Sequence, residues 1–91
     1  MLKIDLGSKV RKFLRKRPPK HEQQVLRKVA ALAEDPFPFD AQLLKGYQKM
    51  YRADIGEYRI IYYIEGEWLH VPIVGKRNDS AVYKELRKRF G

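Results

Sequence analysis

The sequence predicts a small α+β domain in the order β-α-α-β-β-β-α. It is a twisted, mainly antiparallel four-stranded sheet with an N-terminal αα-hairpin on one face and a C-terminal helix. Three observations predict it. The 91 residues have room for one hydrophobic core and one domain, residues 1–91. Residues 47–74 keep the two-residue alternation of strands and are broken at hairpin spacing by Gly56 and by Glu65-Gly66-Glu67. Residues 8–33 and 79–90 instead repeat their apolar positions at helical spacing.

In chain order, Leu2-Lys3-Ile4-Asp5-Leu6 alternates apolar with polar and suits a short half-buried strand. Gly7-Ser8 breaks it, and Ser8 is the expected N-cap of a first helix that gathers Val10, Phe13 and Leu14 on one face. Pro18-Pro19 ends that helix and opens a second, Pro19 to Ala33, whose stripe is Val25, Val29 and Leu32. Each proline in Pro36-Phe37-Pro38-Phe39 biases the residue before it toward extended backbone. That segment is expected to be an ordered loop with both Phe rings docked on the core. The meander strands are expected at Tyr47–Ile55, Glu57–Ile64 and Trp68–Val74, with an irregularity at Pro72, which cannot donate to a ladder. Asp79 or Ser80 caps the last helix, Asp79–Phe90, with Val82, Leu86 and Phe90 four residues apart.

Composition narrows the function. With no cysteine, disulfides and thiolate metal sites are excluded. The first residues lack the apolar core of a secretion signal, and no run is long enough to span a bilayer. A cytoplasmic protein with no membrane partner is the expectation. The net charge of +9 is uneven: residues 1–20 carry +7, residues 80–91 carry +3, and the stretch between carries −1. Cations gathered at the chain ends favour a polyanion, because neutralising phosphates releases counterions.

Strand alternation groups the chemistry-bearing side chains. Met50, Arg52 and Asp54 point one way, Tyr51, Ala53 and Ile55 the other. On the next strand Tyr58, Ile60, Tyr62 and Ile64 form the more apolar face and leave Arg59 opposite, with Ile61 and Tyr63. With both apolar faces on the helices, Arg52, Asp54 and Arg59 emerge together. Arg77 follows the third strand, and Tyr83 sits in the helix beyond, placed to fold back over the sheet. Four groups, Arg52, Arg59, Arg77 and Tyr83, could thereby meet around a phosphate, while the residues alone equally allow Arg52 and Arg59 as surface residues paired across strands with Asp54 and Glu57. His70 reads as a partly buried sheet residue and His21 as a surface residue.

Leu44-Lys45-Gly46-Tyr47, Tyr51-Arg52, Gly56-Glu57-Tyr58-Arg59-Ile60-Ile61-Tyr62 and Val74-Gly75-Lys76-Arg77 with Val82-Tyr83 resemble the RelE/ParE toxin superfamily, most closely its RelE branch. The N-terminal strand and helical hairpin ending at Asp35-Pro36 resemble it too, so the likeness spans nearly the whole chain. The resemblance implies the toxin component of a type II toxin–antitoxin system. Such a toxin is a metal-independent endoribonuclease (mRNA interferase) without cofactor that cuts mRNA in the ribosomal A site and inhibits translation. Its implied partners are a RelB-like antitoxin, mRNA and ribosomal RNA. By the same analogy Arg52 and Arg59 hold the phosphate, Arg77 supports the leaving group, and Tyr83 stacks on a base or assists proton transfer. Lys45, Lys49 and Lys76 flank these positions and are expected to contact RNA. Asp54 stands where the RelE pattern has a second lysine. It reads either as a general base or as a structural partner of Arg52 or Arg59. Two further readings stay open: a ParE-like DNA gyrase inhibitor without nuclease activity, and a catalytically idle RNA-binding module.

Overall fold

Five strands form the sheet where four are expected, and the reason lies in the shortest of them. The computed structural model describes all 91 residues. The elements are β1 (Lys3–Leu6), α1 (Ser8–Arg15), α2 (Pro19–Glu34), β2 (Gln42–Leu43), β3 (Met50–Ile55), β4 (Tyr58–Glu65), β5 (Trp68–Lys76) and α3 (Ala81–Phe90). The sheet runs β1-β5-β4-β3-β2, with β1 parallel to β5 and every other pair antiparallel. The added strand, β2, is two residues long and pairs Gln42 with Arg52 and Leu43 with Tyr51. Two residues carry no period, so only the partner strand reveals them.

The first meander strand begins at Met50 rather than Tyr47. Residues 44–49 close a turn instead. The Leu44 N–H donates to the Met50 carbonyl (2.8 Å), the Tyr47 N–H donates to the Leu44 carbonyl (3.3 Å), and Lys49 takes a left-handed φ of 64°. β4 and β5 start and stop within one or two residues of expectation. At Pro72 the irregularity is present: Ile61 faces Ile73 and Tyr63 faces His70, so β5 holds one residue more than β4 across that interval.

At the first helix the expected Ser8 cap gives way to Gly7. The Gly7 N–H donates to the Val71 carbonyl (3.0 Å), which extends the β1–β5 ladder by one residue and puts Ser8 inside the helix. Ser80 is the N-cap of the last helix and its side chain makes no capping bond; Asp79, one residue earlier, accepts from the Ala81 N–H at Oδ1 (3.0 Å).

Apolar faces make two layers of core. The α1–α2 hairpin buries Val10, Leu14, Val25, Val29 and Leu32 against Ala53, Tyr58, Ile60, Tyr62, Leu69 and Val71 of the sheet. On the opposite face, α3 buries Val82 and Leu86 against Met50, Ile61 and Ile73, with Leu44 beside them. Burying each Leu, Ile or Val of this kind stabilises the fold by about 1.5–3 kcal/mol. Because α3 covers only part of that second face, the β3 side of it stays accessible.

The proline loop departs from expectation. Phe37 is 57% exposed and leans on Tyr51 with ring centroids 5.0 Å apart, while Phe39 is fully exposed. Leu32, Ala33 and Tyr62 already fill the core beneath, and polar anchors hold the loop: the fully buried Tyr62 donates its O–H to the Pro36 carbonyl (2.7 Å), and Lys28 Nζ donates to Asp40 Oδ2 (2.9 Å). Tyr62→Phe is expected to lower the stability by about 1 kcal/mol in urea denaturation, with an unchanged m value, by deleting that hydrogen bond.

Candidate functional site

Three residues line up across three strands. In the β3–β4 register Asp54 faces Arg59, and in the β4–β5 register Arg59 faces Gly75. Lateral neighbours of this kind project on one side of the sheet, so the carboxylate and guanidinium meet with no loop needed to bring them together. Arg59 Nε donates to Asp54 Oδ1 (2.7 Å) and Nη2 to Asp54 Oδ2 (3.0 Å), a two-point fork. The third face of the guanidinium is also engaged, with Nη1 donating to the Tyr83 hydroxyl (2.6 Å).

Gly75 is what lets Tyr83 arrive there. A Cβ built on Gly75 would lie 2.5 Å from Val82 Cγ2, closer than side-chain carbons approach. Val82 is β-branched and stiff at χ1, so it has little freedom to retreat. A bare glycine beneath it therefore lets α3 settle on β5, and the next residue, Tyr83, reaches across to Arg59. Two further contacts hold the helix down: Lys9 Nζ donates to Glu85 Oε1 (2.9 Å), and Arg89 Nη1 donates to the Pro72 carbonyl (3.0 Å) at the bulge.

The charges are matched within the cluster. Hydrogen bonding to Arg59 holds the Asp54 carboxyl below the usual carboxylate range, and the charges of Arg59, Arg52 and Arg77 act in the same direction against partial burial. Asp54 is therefore an anion and an acceptor at neutral pH. Its hydrogen bond also holds the Arg59 guanidinium, whose side chain is only 14% exposed, firmly charged.

Arg52 stands two residues from Asp54 on the same face and donates from Nη2 to the Gln42 side-chain oxygen. Gln42 plays no part in the sequence reading, because the two-residue strand that carries it leaves no pattern. Gly75, by contrast, has a legible signal, since an isolated glycine inside a strand marks a close backbone approach. Arg77 is anchored through its backbone, the N–H donating to the Glu57 carbonyl (2.9 Å), and its side chain is exposed and makes no side-chain hydrogen bond. Lys45 lines a groove that Arg52 and Tyr83 also line. Lys49 is exposed in the turn before β3. Lys76 faces Tyr58 in register and so belongs to the hairpin side of β5, in a separate groove between α1 and α3.

Asp54, Arg59 and Tyr83 thus come together, with Arg52 beside them and Arg77 within electrostatic reach, while Lys49 and Lys76 lie apart. His70 is half-buried as expected, its Nδ1 2.8 Å from Asp5 Oδ2 and its ring stacked on Tyr63 (4.8 Å). His21 is half-buried too, with Nδ1 2.8 Å from the Tyr58 hydroxyl. No group of three His, Asp or Glu side chains gathers as a metal site, and no helix is long and apolar enough to cross a membrane.

Comparison with known proteins agrees with the fold. An E. coli RelE toxin mutant in the free state is similar at 26% identity and a TM-score of 0.79, over 97% of this chain and 96% of that one. A chain of the intact E. coli RelBE toxin–antitoxin complex matches at 25% identity and a TM-score of 0.71, over 84% of this chain and 96% of that one. A chain of the RelB–RelE complex from Methanococcus jannaschii, at 20% identity, shares the fold over the full length of both chains with a TM-score of 0.62. No family model matches the sequence, and none of the curated proteins compared with it does. The chain is thus similar in fold to RelE toxins over nearly its whole length.

Gly75→Ala is expected to cost about 1–3 kcal/mol by crowding Val82. Because Val82→Ala removes the clashing methyl, the double variant should lose less than the two single losses added, as a thermodynamic cycle in urea would measure. Asp54→Asn is expected to cost about 1 kcal/mol at pH 7, the modest value of a partly exposed pair. The folded carboxyl titrates below the unfolded one, so this contribution is full above about pH 4. It disappears as the pH falls through the lower folded value. Paired urea titrations of parent and variant at neutral and strongly acidic pH would show the gap closing.

Proposed function

We propose that this RelE-like chain is the toxin of a toxin–antitoxin pair and an endoribonuclease that cuts mRNA on the ribosome. The observation that carries the reading is the Asp54–Arg59–Tyr83 cluster, flanked by Arg52 and Arg77, on the accessible part of a RelE-like sheet. The similarity to RelE toxins supports the toxin assignment, and the RelBE complexes among the similar structures support a RelB-like antitoxin as partner.

In the proposed reaction the 2′-oxygen of a ribose bonds to the adjacent phosphorus as its proton leaves to a base. The bond from phosphorus to the 5′-oxygen breaks, and that oxygen takes up a proton. The products are a 2′,3′-cyclic phosphate and a 5′-hydroxyl. Negative charge grows on the phosphoryl oxygens in between, and guanidinium groups already aimed at that position stabilise it without reorganising. Arg59 and Arg52 would hold the phosphate, and the exposed Arg77 would reach the leaving oxygen. Asp54 is ionised and accepts hydrogen bonds, so it has the protonation state of a base. Tyr83 presents both a hydroxyl and a stacking face. The basic α1 surface, with Lys9, Arg11, Lys12, Arg15 and Lys16, supplies charge for ribosomal RNA.

One observation favours a second reading. In the free protein every nitrogen of Arg59 already donates a hydrogen bond, two of the three to Asp54. Nη1 and Nη2 each keep a second N–H for a phosphate, but the carboxylate competes for the same cation, and a chain in which Asp54 holds Arg59 throughout would be an RNA-binding module without turnover.

Primer extension on ribosome-bound mRNA separates the two. Cuts within the A-site codon that persist in EDTA are expected, and Arg77→Ala should reduce the rate by about 10²–10³-fold, the usual loss on removing one charge-stabilising donor. Binding to ribosomes without any cut, by a folded sample, would establish the idle module instead.

A further inference from the structure

Arg52 and Arg59 leave the same face of the sheet, but they are held in different ways. Arg59 gives two of its bonds to a carboxylate, so its orientation comes with its charge paired. Arg52 donates from Nη2 to the Gln42 side chain. A guanidinium only donates, so the atom it meets is the amide oxygen, a neutral acceptor. Register places Gln42 for this. It lies directly across from Arg52 in the β2–β3 pair, and side chains so related project from one face.

Carboxylates are near, yet none takes Arg52. Asp40 and Asp54 share a small polar space of about 60 Å³ with Gln42 and Arg52. Asp40 accepts from Lys28 (2.9 Å), and Asp54 is forked onto Arg59. Both anions are thus occupied, and Arg52 enters no ion pair. A long side chain left to itself has to be ordered when a ligand arrives, which weakens binding about 2–10-fold. The amide removes part of that loss without cancelling the charge that an anionic ligand meets.

We infer that Gln42 is a positioning residue: its amide oxygen aims Arg52 at the phosphate while leaving the guanidinium free of any ion pair, which makes Arg52 the cation that captures the substrate phosphate. The two-residue β2 then does more than close the sheet, since its pairing with β3 is what sets Gln42 opposite Arg52. A glutamate at the same position would aim Arg52 as well but pair its charge, as Asp54 does to Arg59. The inference rests on the phosphate-holding role proposed above for Arg52, but it does not need turnover.

Two substitutions of this exposed residue separate aim from charge. Gln42→Met keeps the length and removes the acceptor, whereas Gln42→Glu keeps the acceptor and adds a charge. Inorganic phosphate is titrated against the arginine side-chain NMR signals of the intact protein, and KM and kcat are measured on ribosome-bound mRNA. Gln42→Met is expected to weaken phosphate binding and raise KM about 2–10-fold with kcat within about twofold, the pattern of a contact made equally in ground and transition states. Gln42→Glu should weaken binding at least as much, although the bond to Arg52 persists. In an Arg52→Ala background, with phosphate read at Arg59, Gln42→Met should change neither quantity; a residue that merely holds β2 in place would add its loss there. Parent-like phosphate binding in either Gln42 variant, or an undiminished Gln42→Met loss in the Arg52→Ala background, would overturn the inference and leave the ribonuclease reading standing. The expected phosphate pattern in a protein that cuts no ribosome-bound mRNA would keep Gln42 as the positioning residue and remove the nuclease. Phosphate binding unaffected by Arg52→Ala would overturn the inference together with the role it rests on.

Discussion

The absence of a side chain at Gly75 is the constraint on which the site depends. Gly75 lies across the register from Arg59, and Val82 of α3 packs onto the space a Cβ would fill. That close approach seats Val82 and Leu86 on Ile61 and Ile73 and brings the Tyr83 hydroxyl to 2.6 Å from Arg59. Packing and chemistry are therefore one contact: what buries the second core also delivers the aromatic group to the cations. It also sets the limit of the covering, since α3 shelters the β5 side of the face and leaves the β3 side to Arg52 and the groove beside it.

Electrostatics accounts for the character of the resting site. The chain is strongly basic, yet the cation nearest the centre of its candidate site is neutralised internally. A guanidinium with a 14% exposed side chain and no partner would carry a desolvation cost, and the Asp54 fork offsets it. The same fork fixes the plane of the guanidinium before any ligand arrives, at the cost of a competitor for incoming phosphate. Arg77, exposed and without a side-chain partner, has no such competitor. The site thus combines an oriented, internally paired cation, Arg59, with Arg52 held by the Gln42 amide and a free cation, Arg77. Electrostatic stabilisation requires both orientation and access.

Much of the fold was legible because it rests on periodicity. The two-residue alternation of 50–64 separated Arg52, Asp54 and Arg59 from Tyr58, Ile60 and Tyr62, and those faces are the ones the structure has. Pro72 announced its bulge by lacking an N–H. Elements that rest on partners rather than on pattern were not legible. β2 exists only because Arg52 and Tyr51 pair with it, and Gly7 displaced Ser8 as cap because the Val71 carbonyl held it in the ladder. Phe37 and Phe39 stayed outside because Tyr62 and Lys28 already anchored the loop.

By itself, the sequence determined which residue types were present and on which face of a strand each would fall, since side-chain direction along a strand is set by local backbone geometry. It also carried the resemblance to RelE toxins that the fold bears out. Only the tertiary structure decided the pairings: that Asp54 takes Arg59 rather than Arg52, that Arg52 turns to Gln42, and that Tyr83 closes on the cluster while Lys76 faces away. Those outcomes depend on strand register and on the height of α3 above the sheet. Both are properties of contacts between segments distant in the chain, and no local preference encodes them.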